Sequence, residues 1–96
     1  MAWQVIYHRE VSTDLAAIPA DVRARIRKAI ERRLMTEPSK YGERLRKDLA
    51  GAWKLRVGDY RIVFDLDPRK ERVAVLLIAH RRHVYGIAER RLPGRP

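Results

Sequence analysis

Trp53-Lys54-Leu55-Arg56-Val57-Gly58-Asp59-Tyr60-Arg61-Ile62-Val63-Phe64 is the stretch on which the fold turns. Two runs of alternating large apolar and basic residues flank Gly58-Asp59, a two-residue spacing with glycine first, which predicts a β-hairpin closed by a primed turn. With that loop, Val57 pairs with Tyr60, Arg56 with Arg61, Leu55 with Ile62, Lys54 with Val63 and Trp53 with Phe64. Side chains alternate across a strand, so Trp53, Leu55, Val57, Tyr60, Ile62 and Phe64 share one face, suited to packing under helices. Lys54, Arg56 and Arg61 share the other. Like charges directly opposite each other repel, at a cost of a few tenths to about 1 kcal/mol for Arg56 against Arg61. A bound phosphate would turn that repulsion into a clamp.

Working outward, residues 72–79 are rich in Val, Leu and Ile and follow the turn-like Asp67-Pro68-Arg69-Lys70, which predicts a third antiparallel strand. Its return brings Ala79 and His80 beside the Gly58-Asp59 turn. Arg81, Arg82, His83 and Tyr85 then emerge near the same end of the sheet, and residues 81–92 read as a short closing helix. Upstream, residues 3–7 alternate as a first strand. Val11, Leu15 and Ile18 recur at helical spacing, Pro19 punctuates, and Val22, Ile26, Ala29, Ile30 and Leu34 form a second apolar stripe. Arg23, Arg25, Arg27, Lys28, Arg32 and Arg33 fall elsewhere on that wheel. Pro38 reads as the stop, and residues 39–51 as a polar, basic connection anchored by Leu45 and Leu49. The expected fold is α+β: about four strands, mostly antiparallel, packed on an N-terminal helical hairpin, with Trp3 and Trp53 as core or interface anchors.

Ninety-six residues support one domain with one core, so residues 1–96 are expected to form a single unit without a separate substrate domain. Lys and Arg number 22 against 12 Asp and Glu, a formal charge of +10, which predicts attraction to a polyanion. Arginine dominates, and its planar fork of donors favours bidentate phosphate recognition. Hydrophobic residues at 46% in periodic segments argue against disorder. The absence of cysteine removes disulfides, thiolate zinc sites and cysteine nucleophiles, and fits a reducing compartment. No apolar run approaches the roughly 18 residues of a membrane span. Met1-Ala2-Trp3-Gln4 enters the first strand without a charged start or cleavage site, so a cytoplasmic location and no membrane partner are expected.

The run from Leu45-Arg46-Lys47-Asp48-Leu49-Ala50-Gly51-Ala52 through the Gly-Asp-Tyr-Arg hairpin, followed by Ile78-Ala79-His80-Arg81-Arg82-His83-Val84-Tyr85, resembles the RelE/ParE superfamily of bacterial toxin–antitoxin proteins, in its RelE-like branch. The resemblance implies an mRNA interferase that cuts mRNA in the ribosomal A site, with the ribosome and its rRNA as partners, is held inactive by a cognate antitoxin in a hetero-oligomer, and inhibits translation. The chemistry it implies is attack of a ribose 2′-hydroxyl on its own 3′ phosphate, leaving a cyclic phosphate and a 5′-hydroxyl, with neither metal nor organic cofactor. Carried over by position, Lys54 and Arg61 bind and polarise the phosphate, Arg81 stabilises the transition-state charge, and Tyr85 assists proton transfer. RelE has a second lysine just upstream, where this chain has Ala52. YoeB-like relatives instead use a glutamate before the Gly-x-Trp segment, for which this chain offers Glu43, with His83 and Tyr85 near the C-terminus. Glu43 or Tyr85 is then the proton acceptor, and His83 or Tyr85 the donor. Arg46, Lys47, Arg56 and Arg82 are the cations assigned to RNA binding.

Two rivals share these features. A ParE-like toxin of the same fold inhibits DNA gyrase and cuts no RNA, and fold alone does not separate it. It has no need of Lys54, Arg61, Arg81 and Tyr85 as a set. A noncatalytic ribosome- or RNA-binding module would keep its effect without Arg81 or Tyr85.

Overall fold

The computed structural model describes residues 2–45 and 51–92. Strand β1 (Gln4–Tyr7) leads to α1 (Val11–Ala16) and α2 (Ala20–Ala29), which continues as a π-helical turn over Ile30–Leu34. A single helical turn, α3 (Pro38–Tyr41), precedes the two-residue β2 (Glu43–Arg44). Then come β3 (Trp53–Val57), β4 (Tyr60–Asp67), β5 (Arg72–His80) and the closing helix α4 (Val84–Arg91).

The α+β architecture is as expected, and the sheet has five strands in the order β1-β5-β4-β3-β2. Only β1 runs parallel to its neighbour, β5. The hairpin register is the one read from the sequence, from Trp53 opposite Phe64 to Val57 opposite Tyr60. Gly58 takes φ +59°, the left-handed value that a primed turn with glycine first requires. The additional strand, β2, lies within the stretch expected to be connection only. Pro38 corrects the same reading: it sits at the start of α3, where its missing N–H costs nothing, and the preceding helix has already ended at Leu34.

The sheet is covered on both faces. On one, Leu55, Ile62, Phe64, Val73, Val75 and Ile78 pack against Val11 and Ile18 of the α1 arm and Ile26, Ile30 and Leu34 of the α2 arm. Trp3 and Trp53 are half-buried against this core, as expected of anchors. On the other, Ala52, Val63, Leu77 and Ala79 pack against Val84 and Ala88 of α4. A bulge adjusts the two faces: Val63 pairs with Leu77 but Phe64 with Val75, leaving Leu76 as the extra residue, so Leu76 and Leu77 both serve the α4 side. Between α1 and α2 the Arg23 guanidinium donates to the carbonyls of Ile18 at 2.7 Å and Leu15 at 3.3 Å, satisfying acceptors that the helix end leaves open.

Two side chains tie α4 back across the molecule. Arg91 donates to both carboxylate oxygens of Asp14 at 2.8 Å and to the Leu76 carbonyl at 3.1 Å, while Asp14 also accepts the Ile78 N–H at 3.0 Å. Both side chains are about nine-tenths buried, at 10% and 8% exposure. The Asp14 hydrogen bonds hold the Arg91 guanidinium above its ordinary basicity, against the opposing effect of burial. Where β1 ends, β5 thus finds hydrogen-bonding partners in side chains rather than in a neighbouring strand.

Gly42 marks the tightest approach at the entry to β2. A Cβ there would stand 2.7 Å from the Phe64 ring and 3.0 Å from the Pro38 carbonyl oxygen. Gly42→Ala is therefore expected to destabilise the fold by about 1–3 kcal/mol through overpacking, read as a lower urea midpoint with an unchanged m-value.

Candidate active site

Strand alternation places Lys54, Arg56 and Arg61 on the α4 side of the β3–β4 hairpin, with Arg56 directly opposite Arg61. Lys54 sits opposite Val63 on one side and Glu43 of β2 on the other, so the pairing of β2 gives Glu43 the same face as Lys54. Helix α4 runs back over this face and brings Tyr85 to Lys54: the Lys54 Nζ donates to the Tyr85 Oη at 3.4 Å and stands 5.9 Å from the ring centre. Tyr85 packs its half-buried ring against the α4-side core.

The other cations gather at the turn end of the sheet. Arg61 Nη1 donates to the carbonyls of Gly58 at 3.0 Å and Tyr60 at 2.9 Å, curling over the turn. Arg81 is anchored by its backbone N–H on the Asp59 carbonyl at 2.8 Å, and its exposed guanidinium lies 3.8 Å from the Asp59 carboxylate. Two antiparallel pairings bring these segments together, Arg61 opposite Ala79 and Tyr60 opposite His80. Arg82 is exposed, with its N–H donating to His80 Nδ1 at 3.2 Å.

His83 has a different neighbourhood from Tyr85. Its ring lies 6.1 Å from that of His80, which in turn meets Tyr60 edge-on at 5.4 Å. Tyr60 belongs to the helical-hairpin face, so His83 leans round the sheet end while Tyr85 lies over the opposite face. Glu43 and Arg56 are exposed. Arg46 and Lys47 lie outside the described residues. Ala52, which stands where the resemblance would place a second lysine, is 1% exposed in the α4-side core. Among the described residues, no three His, Asp or Glu side chains are grouped as a metal site, and no helix is long and apolar enough to cross a membrane.

The sequence did not single out what stands on the far side of β3. Among the described residues, no strand pairs with the outer edge of β3 beyond β2, and this edge faces a cleft of about 650 Å³ whose other wall is α2 and its π-helical extension. Arg25, Lys28, Arg32 and Arg33 line that wall, and Tyr41 and Glu43 stand at one end. Lys54, Arg56 and Arg61 border the same cleft from the sheet. The spacing of Arg25, Lys28 and Arg32 at i, i+3 and i+7 was the available clue, since it defines one helical stripe.

The model of a family described as ParE toxin of type II toxin–antitoxin system, parDE, matches residues 5–85. The Toxin RelG of Mycobacterium tuberculosis is 29% identical over 85 residues, covering 88% of this chain and 98% of that one. The Toxin RelE of the same organism is 35% identical over 72 residues, covering 75% of this chain and 74% of its own length. Among solved structures, a chain of the toxin–antitoxin complex RelBE2 from Mycobacterium tuberculosis superposes with a TM-score of 0.78 at 28% identity, over 83% of this chain and 99% of that one. A mutant of the E. coli toxin RelE in the free state shares the fold, with a TM-score of 0.71 at 19% identity, over 96% of this chain and 99% of that one.

Proposed function

This chain belongs to the ParE toxin family of type II toxin–antitoxin systems, and from that premise we propose that it is a ribosome-dependent mRNA endoribonuclease of RelE type. The observation that carries the reading is the Lys54–Tyr85 contact at 3.4 Å on a face shared with Arg61. A gyrase-binding surface has no use for a phenol held against an ammonium group.

The reaction follows from this layout. The 2′-hydroxyl of the substrate ribose loses its proton to the Tyr85 Oη, acting as the phenolate beside the Lys54 ammonium. The O2′ attacks the adjacent phosphorus, the bond to O5′ breaks, and the departing O5′ takes up a proton. The products are a 2′,3′-cyclic phosphate and a 5′-hydroxyl. Negative charge grows on the nonbridging oxygens, where the cations Lys54, Arg61 and Arg81 contribute most. His83, exposed at the start of α4, is the donor that returns a proton to O5′. Glu43, opposite Lys54 on the same face, is the alternative acceptor of the 2′-hydroxyl proton. Arg46, Lys47, Arg56 and Arg82 extend the grip on RNA, in the cytoplasm and without a cofactor.

Relatives whose solved structures are RelB–RelE complexes support a cognate antitoxin as partner. With a charge of +10 on the toxin, that partner is expected to present an acidic surface over the Lys54–Tyr85 face. Incubating the purified protein with programmed ribosomes and mapping 5′-hydroxyl ends on the message tests the reading. Discrete cleavage in the A site is expected. No cleavage, together with inhibition of DNA gyrase, would overturn it in favour of the ParE-like activity.

A further inference from the structure

We propose that the cleft between α2 and the outer edge of β3 is a second RNA-binding site, which holds single-stranded RNA flanking the cleaved phosphate. The inference rests on the reading of Lys54 and Arg61 as phosphate ligands, because the cleft runs on from those two residues.

The first argument is electrostatic. Arg25, Lys28 and Arg32 lie on one stripe over two helical turns, about 11 Å along the axis, and face Arg56 and Arg61 across the cleft. Among the described residues, Glu43 is the one acidic residue lining it. The described ion pairs of the molecule involve Lys40, Arg81 and Arg91, and none of the cleft cations. The Arg25 guanidinium reaches over the hairpin turn, with both Nη atoms 3.9 Å from where a Cβ on Gly58 would stand. Converging cations without carboxylate partners among the described residues cost stability in an isolated protein, and a polyanion laid along the cleft would relieve that cost.

The second argument rests on an aromatic side chain. Tyr41 is a large aromatic side chain left 42% exposed, and it stands at the end of this cleft. Arg33 and Lys40 hold cations 5.9 and 5.6 Å from its ring centre. A positive groove that tracks a backbone, combined with an aromatic face for a base, is the arrangement that binds single-stranded nucleic acid without reading sequence. An acidic peptide would use the cations but has no base to stack on Tyr41.

The test is binding of a short 2′-O-methylated single-stranded oligoribonucleotide, which carries no 2′-hydroxyl and so reports affinity without cleavage. Arg25→Gln with Arg32→Gln should weaken binding about tenfold or more at moderate salt. It should also lower the slope of log K against log salt by about 1.4, two phosphate contacts at ~0.7 each. Tyr41→Ala should weaken binding about fivefold or more, and Tyr41→Phe should not. Arg69→Gln with Lys70→Gln removes the same charge from the exposed turn at the opposite end of β4, and should leave affinity close to wild type.

Equal behaviour of the α2 pair and the turn pair would overturn the proposal, as would unchanged binding by Tyr41→Ala or equally tight binding of poly-glutamate. Thermal melts of each variant separate lost binding from lost folding. The catalytic reading fails separately: oligonucleotide binding through the cleft with no cleavage on ribosomes sinks that reading alone. Cleavage combined with indifference to Arg25 and Arg32 sinks the cleft alone.

Discussion

Arg81→Ala is expected to lower single-turnover cleavage of ribosome-bound mRNA by about 10²–10³-fold, and Tyr85→Phe by about 10²–10⁴-fold, with ribosome affinity changed far less. The two numbers have different origins. Arg81 stands exposed at the turn end of the sheet, where its guanidinium meets the Asp59 carboxylate at 3.8 Å. Such a solvated pair contributes little to stability, so losing Arg81 removes charge stabilisation from the transition state and little else. Tyr85→Phe retains the ring packed against the α4-side core and deletes the oxygen that Lys54 approaches at 3.4 Å. Cleavage rates under ribosome excess, set beside co-sedimentation affinities for the same variants, check both. Parallel losses of binding and rate would show that these residues hold the RNA rather than act on it.

How far the sequence carried the fold depends on how local each cause is. The hairpin was legible residue by residue, because alternation fixes the faces, the two-residue spacing fixes the register, and glycine is the residue that tolerates φ +59°. Strand β2 was not, since Glu43 and Arg44 are a charged pair with no apolar alternation, and β2 exists because Trp53 and Lys54 offer it an edge. Arg44 also stacks its guanidinium 4.6 Å over the Trp53 ring, a contact that no local pattern announces. Pro38 was misread because proline suits the position after a helix and the first turn of the next one equally well. The π-helical turn was hidden too: Ile30 and Leu34 are both buried at a spacing of four, which an unbroken α-helix also produces.

The candidate site divides along the same line. Lys54, Arg56 and Arg61 came from the register alone, and the return of β5 accounts for Arg81. That Tyr85 rather than His83 meets Lys54 depends on the direction of α4, and this is set by residues far apart in the chain. Helix α4 begins at the sheet end beside Asp59 and is pinned at its far end by Arg91 on Asp14, 77 positions away. The α2 wall of the cleft went unnoticed because a basic stripe on an amphipathic helix reads first as a solvated face. Only the placement of α2 against the outer edge of β3 gives that stripe something to face.

The Asp14–Arg91 pair therefore carries the second large expectation. Asp14→Ala would leave a guanidinium that is 10% exposed without its two acceptors at 2.8 Å, and would leave the Ile78 N–H without its carboxylate. Removing one partner of a buried ion pair costs about 3–5 kcal/mol, a large share of the 5–15 kcal/mol typical of a folded domain. Glu10, 3.6 Å from the Arg91 Nε and half exposed, offers partial compensation, which places the expected loss at the lower end of that range. Asp14→Leu combined with Arg91→Met replaces both charges with apolar volume and should recover most of the loss, because no buried charge then remains. Urea denaturation of the single and double variants measures this directly. Hydrogen exchange locates it: in Asp14→Ala, amides of α4 should lose more protection than those of β4, whose pairings with β3 and β5 are untouched. A loss below about 1 kcal/mol in the single variant, or equal loss of protection in α4 and β4, would mean that the packing of Val84 and Ala88 holds the helix without the pair.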